Sequence, residues 1–476
     1  MIPASAKIAS ARILVGFGQL VLLRTLTHVL VPVEMGGYYL ALAFAGVVAI
    51  VFLNPVTTYA CKQVGGWSSR SALAPAIRSI VLYTIFVGLL VAALTSLFAG
   101  NRILETGYIS ISSALTIGLY VSATAASALS IELCNVLGMR SRFAILTILE
   151  VWGKSGAIII AISLGHETAL GVILGMALWS ALIGGVALAS LTRHPPVGTQ
   201  APEDKDFRIS KREVYAFCWP ISVAAGLYWC QSQGFRIPLE KRCGLDILGK
   251  FSVGFGIGSS LMAVVENLVG QIHSPSLFGK VFKTKESQAM AWSEYARCVV
   301  LAIVPIGLYL TCATPYIGRW LLDAKYHEIA IYGGFGVVAQ MLRGLSVVVY
   351  NGILLEGNTR AVIVPHAVGG GFLMLGVWCF ASYNPMVSTG LLIIAAGLIT
   401  IIGLAIRLHA QLHVRIPARD VVNAAIWVSP ICVLLVIGSA LNWHAQRQAN
   451  VIMLAISGIA LAALQYRIAK STWLRQ

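Results

Sequence analysis

Apolar runs of about 20 residues alternate with short polar breaks from one end of the chain to the other, and a helix of that length spans the hydrocarbon of a bilayer. The pattern predicts helices near 8–30, 36–60, 79–100, 110–137, 143–164, 168–191, 214–238, 249–272, 291–314, 328–356, 361–382, 387–410, 424–443 and 450–468. The longest polar segment, TRHPPVGTQAPEDKDFRISKRE at 192–213, has a Pro-Pro pair and mixed charges and reads as a linker. The expected organisation is therefore a six-helix bundle over 1–191, the linker 192–213, a second six-helix bundle over 214–410, and an additional helix pair, 13 and 14, over 424–468.

Composition narrows the class. The 476 residues are 58% hydrophobic and 11% charged, with a mean hydropathy of +0.83, whereas a soluble chain carries about 25% charge. The fold class expected is an all-α integral membrane protein of fourteen transmembrane helices. The first apolar run follows Lys7 and Arg12, exceeds a signal peptide in length and ends in no small-residue cleavage site, so it reads as a retained anchor.

A net charge of +16 would suggest nucleic acid in a soluble chain; here topology accounts for it and no nucleic-acid partner is expected. With a cytoplasmic N-terminus, 22 of the 34 lysines and arginines fall on the cytoplasmic side, nine on the outer side and three within spans. The loops are short, so the positive-inside rule puts both termini in the cytoplasm. The nine cysteines are odd in number, form no CxxC and lie mostly in apolar runs, which predicts neither a disulfide framework nor a metal site.

The two halves share a signature. EMGGYYLA at 34–41 and DILGKFSV at 246–253 both follow acid-x-x-Gly-x-aromatic-x-aliphatic, 212 residues apart, where helices 2 and 8 begin. Carried back without a gap, the same offset sets Arg24 on Arg236. Duplication into a parallel repeat about an axis along the membrane normal is the reading, because six helices per half preserve orientation.

LLRTLTHVLVPVEMGGYYLALAF at 22–44 resembles the helix 1–helix 2 signature of bacterial polysaccharide flippases, within the multidrug/oligosaccharidyl-lipid/polysaccharide exporter superfamily. LDILGKFSVGFGIGSSL at 245–261 resembles the corresponding opening of helix 8. Two departures stand out: LVPVEMGG where the family more often has a Leu-Gly-Pro turn, and Lys250 beside Gly249. The resemblance implies two six-helix bundles related by a pseudo-twofold axis plus a C-terminal pair. It implies a transporter, not an enzyme, that moves a polyprenyl-pyrophosphate-linked oligosaccharide from the cytoplasmic to the outer leaflet for cell-surface polysaccharide synthesis. The mode implied is ion-coupled alternating access around a cationic cavity, in a monomer of the bacterial inner membrane, with no cofactor. Membrane lipid, the lipid-linked substrate and polysaccharide polymerase machinery are the implied partners.

Alternatives within the superfamily are a peptidoglycan lipid-precursor flippase, whose cargo chemistry is nearly the same, and a multidrug/cation antiporter. The antiporter would want an intramembrane acid early in each half, and helices 1 and 7 have none. A major-facilitator transporter is disfavoured because CKQVGGWSSRSALAPAIRS, between helices 2 and 3, contains no acid. A membrane glycosyltransferase would need larger outer loops than this chain has.

An anionic cargo needs cations along its path. Arg24, in LVLLRTLTHVL, stands about 24 Å along helix 1, either snorkelling beside His28 or as a cation at the cavity mouth. Arg236 is its repeat counterpart, expected to face it near the outer mouth. Arg343 is at the midpoint of helix 10 with Gln340 one turn away, and must face a cavity or a partner such as Glu150. Arg297 has Glu294 at i−3, which suggests an interfacial ion pair, and Glu150 with Lys154 at i+4 reads as a self-neutralised pair or a coupling site. Glu132 and Glu266 are candidates for a coupling proton. Tyr228, Trp229, Gln231 and Gln233, in YWCQSQ, combine aromatic faces and amides that suit sugars, or form a polar patch in a packed bundle.

Trp219-Pro220 suggests a bend and GFG at 16–18 a flexible point. GKS at 153–155 lacks the preceding strand and glycine of a phosphate loop. His409 and His413 lie among arginines that suit lipid headgroups.

Overall fold

The computed structural model describes residues 4–69, 72–100, 111–193, 210–278, 284–355, 359–414, 417–442 and 446–473. Most of the expected linker, 194–209, lies outside the described residues. The elements are α1 (Ala4–Val29), α2 (Pro32–Val48), a π-helical turn (Ala49–Leu53), α3 (Asn54–Ser69), α4 (Leu73–Gly100), α5 (Ile111–Val136), α6 (Arg140–Ser163) and α7 (Ala169–Arg193). They continue as α8 (Lys211–Ser232), α9 (Arg236–Phe278), α10 (Lys285–Leu321), a 3-10 segment (Ala324–Tyr332) and α11 (Gly333–Leu354). A 3-10 turn (Thr359–Val362), α12 (Ile363–Phe380), α13 (Pro385–Leu412), α14 (Ala418–Ala440) and α15 (Arg447–Trp473) complete the chain.

No strand occurs among the described residues. Twelve stretches there are long and apolar enough to cross a membrane; Lys211–His273 runs through both α8 and α9, and α1 is not among them. This criterion leaves the expected count of fourteen unconfirmed, since one of the twelve stretches holds two helices. Large apolar side chains face outward along the helices, as Phe86, Leu89, Leu375 and Ile402 do, while Ser127, Ser180, Thr389 and Thr400 are buried. That inverted distribution suits a chain whose surrounding solvent is hydrocarbon.

One expected detail is corrected. Helix 7, read as 214–238, stops at Ser232; a turn follows, and Arg236 opens the next helix instead of closing this one. Within α9 the backbone breaks at Gly244, at φ 81°, a conformation that only glycine adopts without strain. At GFG, offered by the sequence as a flexible point, α1 runs on as regular helix: a Cβ on Gly18 would stand 2.9 Å from the Trp152 indole nitrogen, which donates to the Leu14 carbonyl at 3.0 Å. Gly18 serves the close approach of α1 and α6.

The fold divides into two compact units, Met1–Trp229 and Cys230–Gln476. In the first, α5 packs on α4 and α7, α6 on α1 and α7, and α2 and α3 on α5. In the second, α11 packs on α9, α10 and α13, and α12 on α13. Counting α2–α3 as one span and shifting by six, the packing of α5 on α4, α7 and α2–α3 and of α6 on α7 recurs as that of α11 on α10, α13 and α9 and of α12 on α13, whereas the close packing of α1 on α6 has no equally extensive counterpart between α8 and α12.

The C-terminal pair is anchored on α10 by polar contacts in an apolar setting. Tyr316 donates to the Leu435 carbonyl at 2.8 Å, Asn450 donates to the Tyr316 carbonyl at 3.1 Å and accepts from the Trp320 indole at 3.0 Å, and the Tyr309 and Ser457 hydroxyls meet at 3.3 Å. Asn450 is 2% exposed, so these are the bonds that make its burial tolerable.

Candidate functional site

In the second unit a seam of glycines sets the geometry. A Cβ on Gly258 would overlap the Gly333 carbonyl, and one on Gly336 would overlap the Phe255 carbonyl, so α9 and α11 meet backbone to backbone. Beyond this seam Glu266 of α9 meets α11. The Gln340 side-chain amide donates to Glu266 Oε2, and Gln340 is itself buried. Its Oε1 faces Arg343 Nη1 at 3.5 Å, long for a hydrogen bond and best described as a charge–dipole contact. Gly344 of α11 lies beside the acid: an added Cβ would be in van der Waals contact with Glu266 Cγ, at 3.4 Å. Thus QMLRG, 340–344, holds an acid, an amide and an exposed guanidinium in one row. Arg343 lies within electrostatic reach of Glu266, a different acid from the Glu150 considered in the sequence.

A second polar cluster joins α8, α12 and α13. Gln231 Nε2 donates to Thr400 Oγ1 at 2.8 Å, and its Oε1 lies 2.9 Å from His366 Nδ1. An amide oxygen only accepts, so Nδ1 carries the ring proton at this contact. Thr400 is fully buried and donates to the Ala396 carbonyl at 3.0 Å. Gln231, read as a sugar contact, has its amide committed within the bundle. Gln233 Oε1 is buried without a hydrogen-bond partner, and Trp229 is buried while Tyr228 is partly so.

In the first unit, Glu150 Oε1 accepts from Lys154 at 2.8 Å and from Ser180 at 2.7 Å, with 13% and 16% of the Glu150 and Lys154 side chains exposed. The favourable i, i+4 order read from the sequence is present as a buried ion pair. Glu150 Oε2 is buried and has no hydrogen-bond partner. Glu132 is half-buried on α5.

The other cations are distributed separately. Arg24 is exposed near the end of α1, with His28 exposed one turn on. Arg236 is 8% exposed, its guanidinium 5.8 Å from the Phe235 ring centre. Arg297 pairs with Asp420 of α14 at 3.4 Å, a partner its local spacing did not suggest. Tertiary packing brings the two together across 123 positions, which no local spacing could show. Sequence reading also missed His366 and Thr400; a histidine inside the apolar run VIVPHAVGGGF was the available signal.

No protein-family profile and no curated protein matches the sequence. Solved structures do. The lipid II flippase MurJ, in an inward closed conformation, aligns at a TM-score of 0.72 and 12% identity over 99% of each chain. The chain has the MurJ fold. A multidrug resistance MATE family transporter of the MOP superfamily aligns at 0.58 in its inward-facing conformation, with 12% identity over 86% of this chain and 96% of that one. An outward-facing MATE structure aligns at 0.57, with 11% identity over 86% and 95%.

Proposed function

We propose that this multi-pass membrane protein is a flippase of a lipid-linked anionic glycan, moving a polyprenyl-pyrophosphate-linked oligosaccharide from the cytoplasmic to the outer leaflet by ion-coupled alternating access. The observation that carries the reading is Arg343, an exposed guanidinium in the middle of an otherwise uncharged helix. A cation so placed is costly in hydrocarbon and is explained by an anion that uses it. Likeness to a lipid II flippase over the whole chain supports a lipid-linked cargo more than a multidrug cation, which these arginines would repel. Arg24 and Arg236 are further candidates for meeting the pyrophosphate, and Glu150 with Lys154 for ion coupling. Both termini are assigned to the cytoplasm, in a bacterial inner membrane.

That same likeness favours a second reading, in which the cargo is the peptidoglycan lipid precursor. Proteoliposomes loaded with either lipid, assayed by leaflet-specific labelling of the glycan, separate the two. Faster movement of the lipid-linked oligosaccharide than of lipid II supports the first reading, the reverse order supports the second, and movement of neither refutes both. Arg343→Lys retains part of the transport and Arg343→Met loses it; equal rates for the two variants refute a charge role.

A further inference from the structure

We propose that Glu266 is the proton-binding counter-ion of Arg343: when a pyrophosphate engages the guanidinium, Glu266 takes up one proton. The proposal rests on the cargo reading above for Arg343 and adds a site for the coupling proton.

The arrangement is built for two charge states. In the ionised state Gln340 Nε2 donates to the carboxylate while Gln340 Oε1 faces Arg343, so a single amide separates the opposite charges. An arriving pyrophosphate competes with Glu266 for the guanidinium, and an anion left in the bundle without its cation is costly. One O–H bond then forms on Glu266, with the proton drawn from water. Gln340 can hold that form as well: its Nε2 still donates to the carboxyl C=O, and its Oε1, given up by Arg343, accepts the new O–H. A neutral acid and a primary amide thus close a ring of two hydrogen bonds. A net change of one proton per bound anion follows, with no other reactant.

The surroundings favour this assignment. Arg343 is the only charged residue in α11, and it is the charged group acting on Glu266. On α9, Asp246 and Lys250 pair with each other at 2.8 Å, about 30 and about 24 Å along the helix from Glu266. On α10, Arg297 is engaged by Asp420, while Lys285, Glu286, Glu294 and Arg319 lie elsewhere along the helix; α13 carries Arg407 and His409 toward its end.

The test is isothermal titration calorimetry of the full chain in nanodiscs with farnesyl pyrophosphate, run near neutral pH in buffers of differing ionisation enthalpy. The titration of the pyrophosphate itself is common to all variants, so differences report the protein. Wild type should take up about one proton more per ligand than Glu266→Gln, and its affinity should fall about tenfold more per pH unit on the alkaline side. Equal proton numbers overturn the proposal while leaving the cargo reading intact, provided Arg343→Gln abolishes binding. Binding that is indifferent to Arg343→Gln overturns both. Should Glu266→Gln fail to fold, difference infrared spectroscopy decides: farnesyl pyrophosphate should raise a carboxylic-acid C=O band in wild type and not in Arg343→Gln. Absence of that band in wild type that binds the ligand overturns the proposal.

Discussion

Glu34 closes the first turn of α7: its Oε2 accepts the backbone N–H of Ala169 at 2.7 Å. The carboxylate from the start of α2 thus sits on the positive end of another helix and satisfies one of its unpaired donors. Its repeat counterpart, Asp246, instead pairs with Lys250 one turn along its own helix, at 2.8 Å. α13, the counterpart of α7, is capped by its own Asn384, which accepts from the Val387 N–H at 3.4 Å. The acid of the shared acid-x-x-Gly signature therefore serves a different local need in each half.

Different costs follow for the two acids. Glu34→Ala should lower stability by about 1–2 kcal/mol, the scale of a lost helix cap with its dipole interaction. Asp246→Ala should cost under about 0.5 kcal/mol, because its ion pair is well exposed. Thermal unfolding of both variants in one detergent gives the comparison; a larger loss for Asp246→Ala would refute the capping role of Glu34.

The anchoring of α15 on α10 is open to a double-mutant cycle. Asn450→Leu leaves the Trp320 indole N–H and the Tyr316 carbonyl without their partner, at a cost of about 2 kcal/mol. Adding Trp320→Phe removes one of those orphaned groups, so the double variant should lose less than the two single losses added together. Additive losses would mean that the two side chains are not coupled.

Much of this fold was legible because bilayer thickness imposes one length on every span, and the helix limits differ from the hydrophobic runs by only a few residues at most ends. The break after Ser232 falls at the polar stretch QSQG, 231–234, which lies between apolar segments on both sides and was read through as one span. The site was half legible. An ionisable group in an apolar run announces itself, so Arg343, Glu266 and Glu150 stood out. Their partners did not: Glu266 meets Gln340 across 74 positions, and Arg297 meets Asp420, through packing that periodicity does not encode. Lys154, one helical turn from Glu150, and Gln340, one turn from Arg343, could be paired from spacing alone.

Topology provides a separate test. Ser210 and Gln448 are both exposed, and the distribution of lysine and arginine assigns the first to the cytoplasm and the second to the outside. In a background without the nine native cysteines, an impermeant thiol reagent applied to intact cells should label Gln448→Cys and spare Ser210→Cys until the membrane is permeabilised. Labelling in the opposite order would reverse the orientation and, with it, the direction of transport proposed.

The two arginines at repeat-equivalent positions should separate stability from transport. Arg236 is buried at the start of α9 and lies over Phe235, whereas Arg24 is exposed on α1. Removing a buried guanidinium sacrifices packing as well as charge, so Arg236→Ala should cost about 2–3 kcal/mol of stability. An exposed side chain contributes little to folding, so Arg24→Ala should stay within about 0.5 kcal/mol of wild type. If Arg24 is kept for an anionic cargo, Arg24→Ala nevertheless loses most transport at unchanged protein level, and Arg24→Lys recovers part of it because charge survives while bidentate geometry does not. A snorkelling anchor behaves differently: alanine there would leave transport intact, and lysine, which snorkels equally well, would match wild type. Transport rates of Arg24→Ala and Arg24→Lys, normalised to folded protein, therefore decide why an arginine is held in the run LVLLRTLTHVL.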